Sequence, residues 1–90
     1  MIKIELIPTL SYCIETVAKR EYWKSVEEYL RIGKEDKELE GRIELLQRFL
    51  ESMDFRELRR QSEGYLVEGR KVRFILYPKE GSLDYEMEVD

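Results

Sequence analysis

GYLVEGRKVRFILYPKEGSLDYEMEVD, residues 64–90, alternates apolar and polar side chains between glycines, the pattern of a three-stranded antiparallel meander. A glycine at the first central position of Glu68-Gly69-Arg70-Lys71 suits a two-residue type II′ turn. That turn pairs Val67 with Val72 and Tyr65 with Phe74 on one face, and sets Glu68 against Lys71 and Leu66 near Arg73 on the other. The second connection, Lys79-Glu80-Gly81-Ser82 after Pro78, works as a four-residue loop. It pairs Val72 with Val89, Phe74 with Met87 and Leu76 with Tyr85 on the same inner face. On the outer face Lys71 meets Asp90, Arg73 meets Glu88, Ile75 meets Glu86 and Tyr77 meets Asp84. A one-residue slip would swap the faces, and two separate loops agree on which face is buried.

The chain before this stretch has to cover that face. Ile2 to Ile7 alternates, with Ile2, Ile4 and Leu6 on one side and Lys3 and Glu5 on the other, so it reads as a fourth, half-buried strand ended by Pro8. Whether it lies beside the strand at Tyr65 or beside the last strand at Asp84 stays open. Thr9 or Ser11 can cap a first helix running to about Ile32, with Gly33 just past its end. Leu10, Cys13, Ile14, Val17 and Ala18 face one way along it. Tyr22, Trp23, Val26, Tyr29 and Leu30 centre more than a quarter turn round. Nothing in Lys19-Arg20-Glu21 stops a helix, so a continuous one is expected, touching the sheet with one end and something else with the other.

Asp36 can cap a second helix, to about Ser52, whose Leu39, Ile43, Leu46, Leu50 and Met53 form a seam for packing along another helix. Gly41 weakens its first turns by about 1 kcal/mol relative to alanine. Asp54 with Glu57 can form a capping box, and Met53 with Leu58 a hydrophobic staple, starting a third, short helix that Gly64 ends. The expected order is β-α-α-α-β-β-β. It describes one α+β domain over residues 1–90, two layers deep, with a four-stranded, mainly antiparallel sheet covered on one face by two main helices and one short one.

Composition bounds the function. With 42% hydrophobic and 11% aromatic residues in 90, the chain can pack a core. A net charge of −4 supplies no general field that recruits nucleic acid or an acidic membrane. Charged residues reach 40% while histidine is absent, asparagine is missing and glutamine scarce, a balance resembling proteins from hot environments. One cysteine makes no internal disulfide and fits a reducing cytosol. No apolar run approaches the roughly 20 residues of a membrane span. A cytoplasmic protein without a membrane segment is expected.

Absences narrow the chemistry further. Without histidine there is no histidine general base or Ser-His-Asp arrangement, and with Cys13 alone no Cys₄ or Cys₂His₂ zinc site within one chain. Gly64, Gly69 and Gly81 are accounted for by a helix end and two turns rather than by a phosphate loop. No cofactor is expected, and a non-enzymatic role is favoured. Cys13, on the apolar side of the first helix, reads as a buried structural thiol.

Three residue groups remain as candidates. Asp84, Glu86 and Glu88 line one strand face, where alternating carboxylates could hold Mg²⁺ for a hydrolase or nuclease; the same row would serve as a solvated face paired with Arg73 and Lys71. Arg56, Arg59 and Arg60 on the third helix, with Arg70, Lys71 and Arg73 on the hairpin, could bind single-stranded nucleic acid beside Tyr65 and Tyr77. Glu57, Glu63, Glu68 and Glu88 are near enough in sequence to neutralise them instead. The third group is a surplus of apolar side chains. Tyr12 and Trp23 on the helical side, and Leu66, Ile75 and Tyr77 on the outer sheet face, are of the type that centres protein interfaces. The leading expectation is therefore a protein-interaction or assembly module, most simply a C₂ homodimer, with a partner protein as the variant of that reading.

Overall fold

Val72 to Val89 folds as the alternation dictates. A computed structural model describes residues 2–33 and 35–90. In it β2 (Val72–Lys79) and β3 (Ser82–Val89) run antiparallel from the Val72–Val89 pair to the Lys79–Ser82 pair. Gly81, at φ 74°, supplies the left-handed residue of the turn between them. The inner-face residues of β2, Val72, Phe74 and Leu76, are fully buried. Before these strands come β1 (Ile4–Leu6), α1 (Ile14–Arg31), α2 (Lys37–Ser52) and α3 (Phe55–Val67).

Among the described residues the sheet has three strands in the order β1-β2-β3, not four. The strand expected at Tyr65 is the last part of α3, which runs through Gly64 to Val67. Helical phase explains the difference. Leu58, Ser62, Tyr65 and Leu66 recur at the spacing of one helix face, and the first two are buried while the next two are half-buried. Val67, which a strand would have placed in the core, is 68% exposed. Gly64 costs a helix interior about 1 kcal/mol, less than the packing that this face gains.

Gly69 accordingly ends a helix instead of turning a hairpin. It sits at φ 81°. Its N–H donates to the Leu66 carbonyl at 3.0 Å, and the Arg70 N–H donates to the Tyr65 carbonyl at 3.0 Å. Those two bonds make a Schellman cap, closed by the Arg70 guanidinium lying 5.3 Å from the Tyr65 ring centre.

With no strand at Tyr65, the open side of β2 takes β1: Ile4 faces Leu76 and Leu6 faces Phe74. This ladder stops short of Pro78, which has no N–H to offer. The helices cover the inner face, and Ile4, Leu6, Ile14, Val17, Ala18, Leu46, Phe49 and Phe74 share one core. Phe49 meets Phe55 edge-to-face at 5.4 Å.

Caps define the helices. Asp36 Oδ1 accepts from the Leu39 N–H at 3.1 Å and Asp54 Oδ1 from the Glu57 N–H at 3.2 Å. Glu57 does not complete the expected capping box; its carboxylate takes the Arg60 guanidinium at 2.8 Å. Gly33, at φ 91°, follows the last turn of α1 as expected.

Candidate functional site

The sheet covers only the first half of α1. Ile14, Val17 and Ala18 enter the shared core, and the next buried position, the last along the helix, is Ser25. From there α1 lies along α2 as an antiparallel arm. Arg42 of α2 donates from Nε to Ser25 Oγ at 3.2 Å and pairs through Nη2 with Glu21 at 3.2 Å. Tyr29 bonds Glu40 nearer the tip. The opposite side of this arm is apolar and uncovered. Trp23 is 62% and Leu30 57% exposed, and with half-buried Val26 they recur at three- and four-residue spacing along one helix face. Beside them a shallow groove of about 280 Å³ is lined by Val26, Tyr29, Ile43 and Gln47 among others. Trp23 is held edge-to-face against Tyr22 at 5.3 Å. Tyr12, also exposed, lies under the Arg20 guanidinium at 5.1 Å.

The outer face of the sheet is different in kind. Ile75 and Tyr77 are half-buried there, within a lattice of charge. Arg73 pairs with Glu88 at 2.8 Å and Glu5 at 3.5 Å. Lys3 lies 5.9 Å from the Tyr77 ring. A hydrogen bond to Glu86, with burial and the surrounding carboxylates, pushes the Tyr77 phenol up to about 12. The three carboxylates proposed for Mg²⁺ are thereby engaged separately: Glu88 by Arg73, Glu86 by Tyr77, and Asp84 Oδ1 by the Tyr85 N–H at 2.8 Å. Among the described residues no group of three or more His, Cys, Asp or Glu converges as a metal site.

The five residues expected at one interface are thus distributed. Tyr12 and Trp23 belong to the helical layer, and Ile75 and Tyr77 to the opposite surface of the sheet. Leu66, being on α3, is in the helical layer too and away from the outer sheet face where it was expected. It is half-buried and lines a cavity of about 210 Å³ with Pro8, Cys13, Ile14 and Arg59. One two-fold interface cannot bury both layers.

Cys13 is not the inert core thiol that its apolar spacing suggested. It is the N-cap residue of α1 and only half-buried, at the edge of that cavity. Its Sγ lies 3.3 Å from Thr16 Oγ1. The Thr16 hydroxyl, followed by the Thr16 and Glu15 amides, holds the thiol below its ordinary range. The two residues read as candidate caps make a turn instead of the helix start: Thr9 Oγ1 accepts from the Tyr12 N–H at 3.0 Å.

The basic residues separate too. Arg59 pairs with Glu63 at 3.7 Å and Arg60 with Glu57 at 2.8 Å on α3. Arg56 and Lys71 stand exposed. Arg70 donates to the Asp90 carbonyl at 2.6 Å. Arg73 is on the outer sheet face, the far side from α3, so the six cations do not form one surface.

A protein-family model matches residues 2–86 of the chain. A protein of Archaeoglobus fulgidus described as an uncharacterized protein is 46% identical over 52 residues, which cover 56% of this chain and 61% of that relative. No solved structure matches the chain. No helix among the described residues is long and apolar enough to cross a membrane.

Proposed function

The chain belongs to the family whose model matches residues 2–86, and we propose that it works as a homodimeric assembly module in which the α1–α2 arm packs against the same arm of a second copy. The observation that carries this reading is the Trp23–Val26–Leu30 stripe on the half of α1 that has left the sheet, with Trp23 and Leu30 exposed and Val26 half-buried. A stripe of that spacing is what two helices need to interdigitate, and tryptophan is among the residues that dominate interface energy.

Charge supports a second copy as the occupant. Lys19 and Glu27 lie four residues either side of Trp23, on the same helix face, and both are exposed. Two α1 helices crossing antiparallel at Trp23 bring Lys19 of each opposite Glu27 of the other. The face is self-complementary, as an isologous C₂ contact requires.

Native mass spectrometry and analytical ultracentrifugation test the reading. The expected result is a dimer at micromolar concentration that becomes a monomer in Trp23→Glu/Leu30→Glu, with the helical circular dichroism unchanged because both residues are already exposed. A wild-type chain that stays monomeric throughout that range removes the proposal.

A further inference from the structure

Among the described residues β3 is bonded to a neighbour on one side only. Its ladder with β2 is unbroken over all eight residues, with no bulge, proline or lysine to protect the free edge. The Asp90 N–H donates to the Lys71 carbonyl at 3.0 Å, so the even-numbered residues exchange bonds with β2. By the alternation of an antiparallel ladder, Leu83, Tyr85, Met87 and Val89 turn their N–H and C=O groups outward. Asp84 Oδ1 accepts from one of these, the Tyr85 N–H, at 2.8 Å. An edge donor is therefore satisfied by a side chain that an incoming strand can displace.

The two faces of this edge specify the occupant. The inner-face residues Leu83, Tyr85, Met87 and Val89 are only half-buried, whereas their β2 neighbours Val72, Phe74 and Leu76 are 0% exposed. The helices reach β3, where Arg48 of α2 donates to the Ser82 carbonyl at 3.4 Å, but cover its inner face only in part and leave an apolar strip for a further strand to extend. The outer face carries Asp84, Glu86 and Glu88. A second β3 pairing antiparallel, with its faces matched, would set carboxylate opposite carboxylate, which is destabilising.

We propose that the β3 edge accepts an extended segment of a partner protein that alternates basic and apolar residues, adding a fourth strand to the sheet. Its backbone bonds to Leu83, Tyr85 and Met87, displacing Asp84 from the Tyr85 N–H. Its apolar residues continue the inner face, and its lysines or arginines lie beside Asp84, Glu86 and Glu88. This is strand addition of the kind that takes affinity from backbone bonds and specificity from alternate side chains. The surface is separate from the α1–α2 arm, and the proposal stands whether or not that arm dimerises.

The probe is a blocked octapeptide of alternating lysine and valine, titrated into the ¹⁵N-labelled protein and, in parallel, into the Trp23→Glu/Leu30→Glu variant. The expected result is movement and exchange protection of the Leu83, Tyr85 and Met87 amides in both. N-methylating one alternate set of peptide nitrogens abolishes binding, while methylating the other set leaves it. Replacing the peptide lysines by glutamate, or Glu86→Lys in the protein, weakens binding by about tenfold or more. Absence of binding at millimolar peptide, shifts centred elsewhere, or indifference to both N-methylation patterns each overturns the proposal.

Discussion

Arg42 reaches across the helical hairpin to Glu21, with 3.2 Å between guanidinium and carboxylate, at the level where the apolar core gives way to the arm. Its Nε donates to Ser25 Oγ, which itself donates to the Glu21 carbonyl at 2.8 Å. One planar cation thus holds a side-chain acid and a buried hydroxyl of the neighbouring helix, a geometry that a lysine cannot reproduce. Arg42→Ala is expected to destabilise the fold by about 1 to 2 kcal/mol, more than an exposed pair is worth, because Ser25 is left buried. Arg42→Lys should recover only part of this. Urea unfolding measures both, and an unchanged midpoint in Arg42→Ala would show that the contact holds nothing.

Two glycines should respond with opposite sign. Gly64 is inside α3, and a Cβ built there meets nothing within 4 Å. Gly64→Ala is expected to stabilise by about 0.5 to 1 kcal/mol. Gly69 has equal space around it but sits at φ 81°. Gly69→Ala should therefore cost about 1 kcal/mol or more. If Gly64→Ala destabilised instead, the helix would have to end at residue 64.

Tyr77 gives a pH signature. Its phenol ordinarily ionises near 10.0, and the bond to Glu86 pushes it up to about 12. A raised folded-state value favours the protonated form. The contribution is complete below the unfolded value near 10 and is lost as pH climbs through about 12. In an ultraviolet titration Tyr77→Phe should remove a late tyrosinate step, and Glu86→Gln should move that step down. Identical titration curves for wild type and Tyr77→Phe would refute the assignment.

Cys13 should alkylate as a partly activated thiol. The Thr16 hydroxyl and the first amides of α1 stabilise the thiolate, so its ionisation falls below the ordinary 9.0. The pH midpoint of iodoacetamide modification is expected below that value, and Thr16→Val should raise it. A wild-type midpoint at or above 9.0 contradicts the hydrogen-bond geometry.

The proposed arm-to-arm contact predicts rescue by charge exchange. Lys19→Glu alone sets glutamate against Glu27 of the second copy, and Glu27→Lys alone sets lysine against Lys19. Each should weaken dimerisation by several-fold. The double exchange should restore it, whereas additive weakening would exclude the antiparallel crossing at Trp23. Sedimentation equilibrium reads all four proteins.

The β2–β3 register, down to Arg73 opposite Glu88 and Ile75 opposite Glu86, was written in the alternation of residues 72–89 and in the placing of Gly81. The Asp36 and Asp54 caps were equally legible. So was a continuous α1 that touches the sheet with only one end. These features rest on periodicity, side-chain chemistry and bonds between near neighbours, which a linear chain encodes directly. Tyr65-Leu66-Val67 was not decided in that way. Three residues fit the period of a strand and of a helix alike, and Gly69 suits a hairpin turn and a helix end equally well. Tertiary packing chose the helix, because Leu58 and Ser62 already commit that face to the core. The same choice left β2 free for β1, fixed the strand order and carried Leu66 from the outer sheet face to the Cys13 cavity. Gly41 shows the principle at a single atom: a Cβ there would collide with Cδ1 of Ile2, a neighbour that only the closed fold brings to it. Local pattern determined what each segment can be. Burial shared between distant segments determined which of those forms it took.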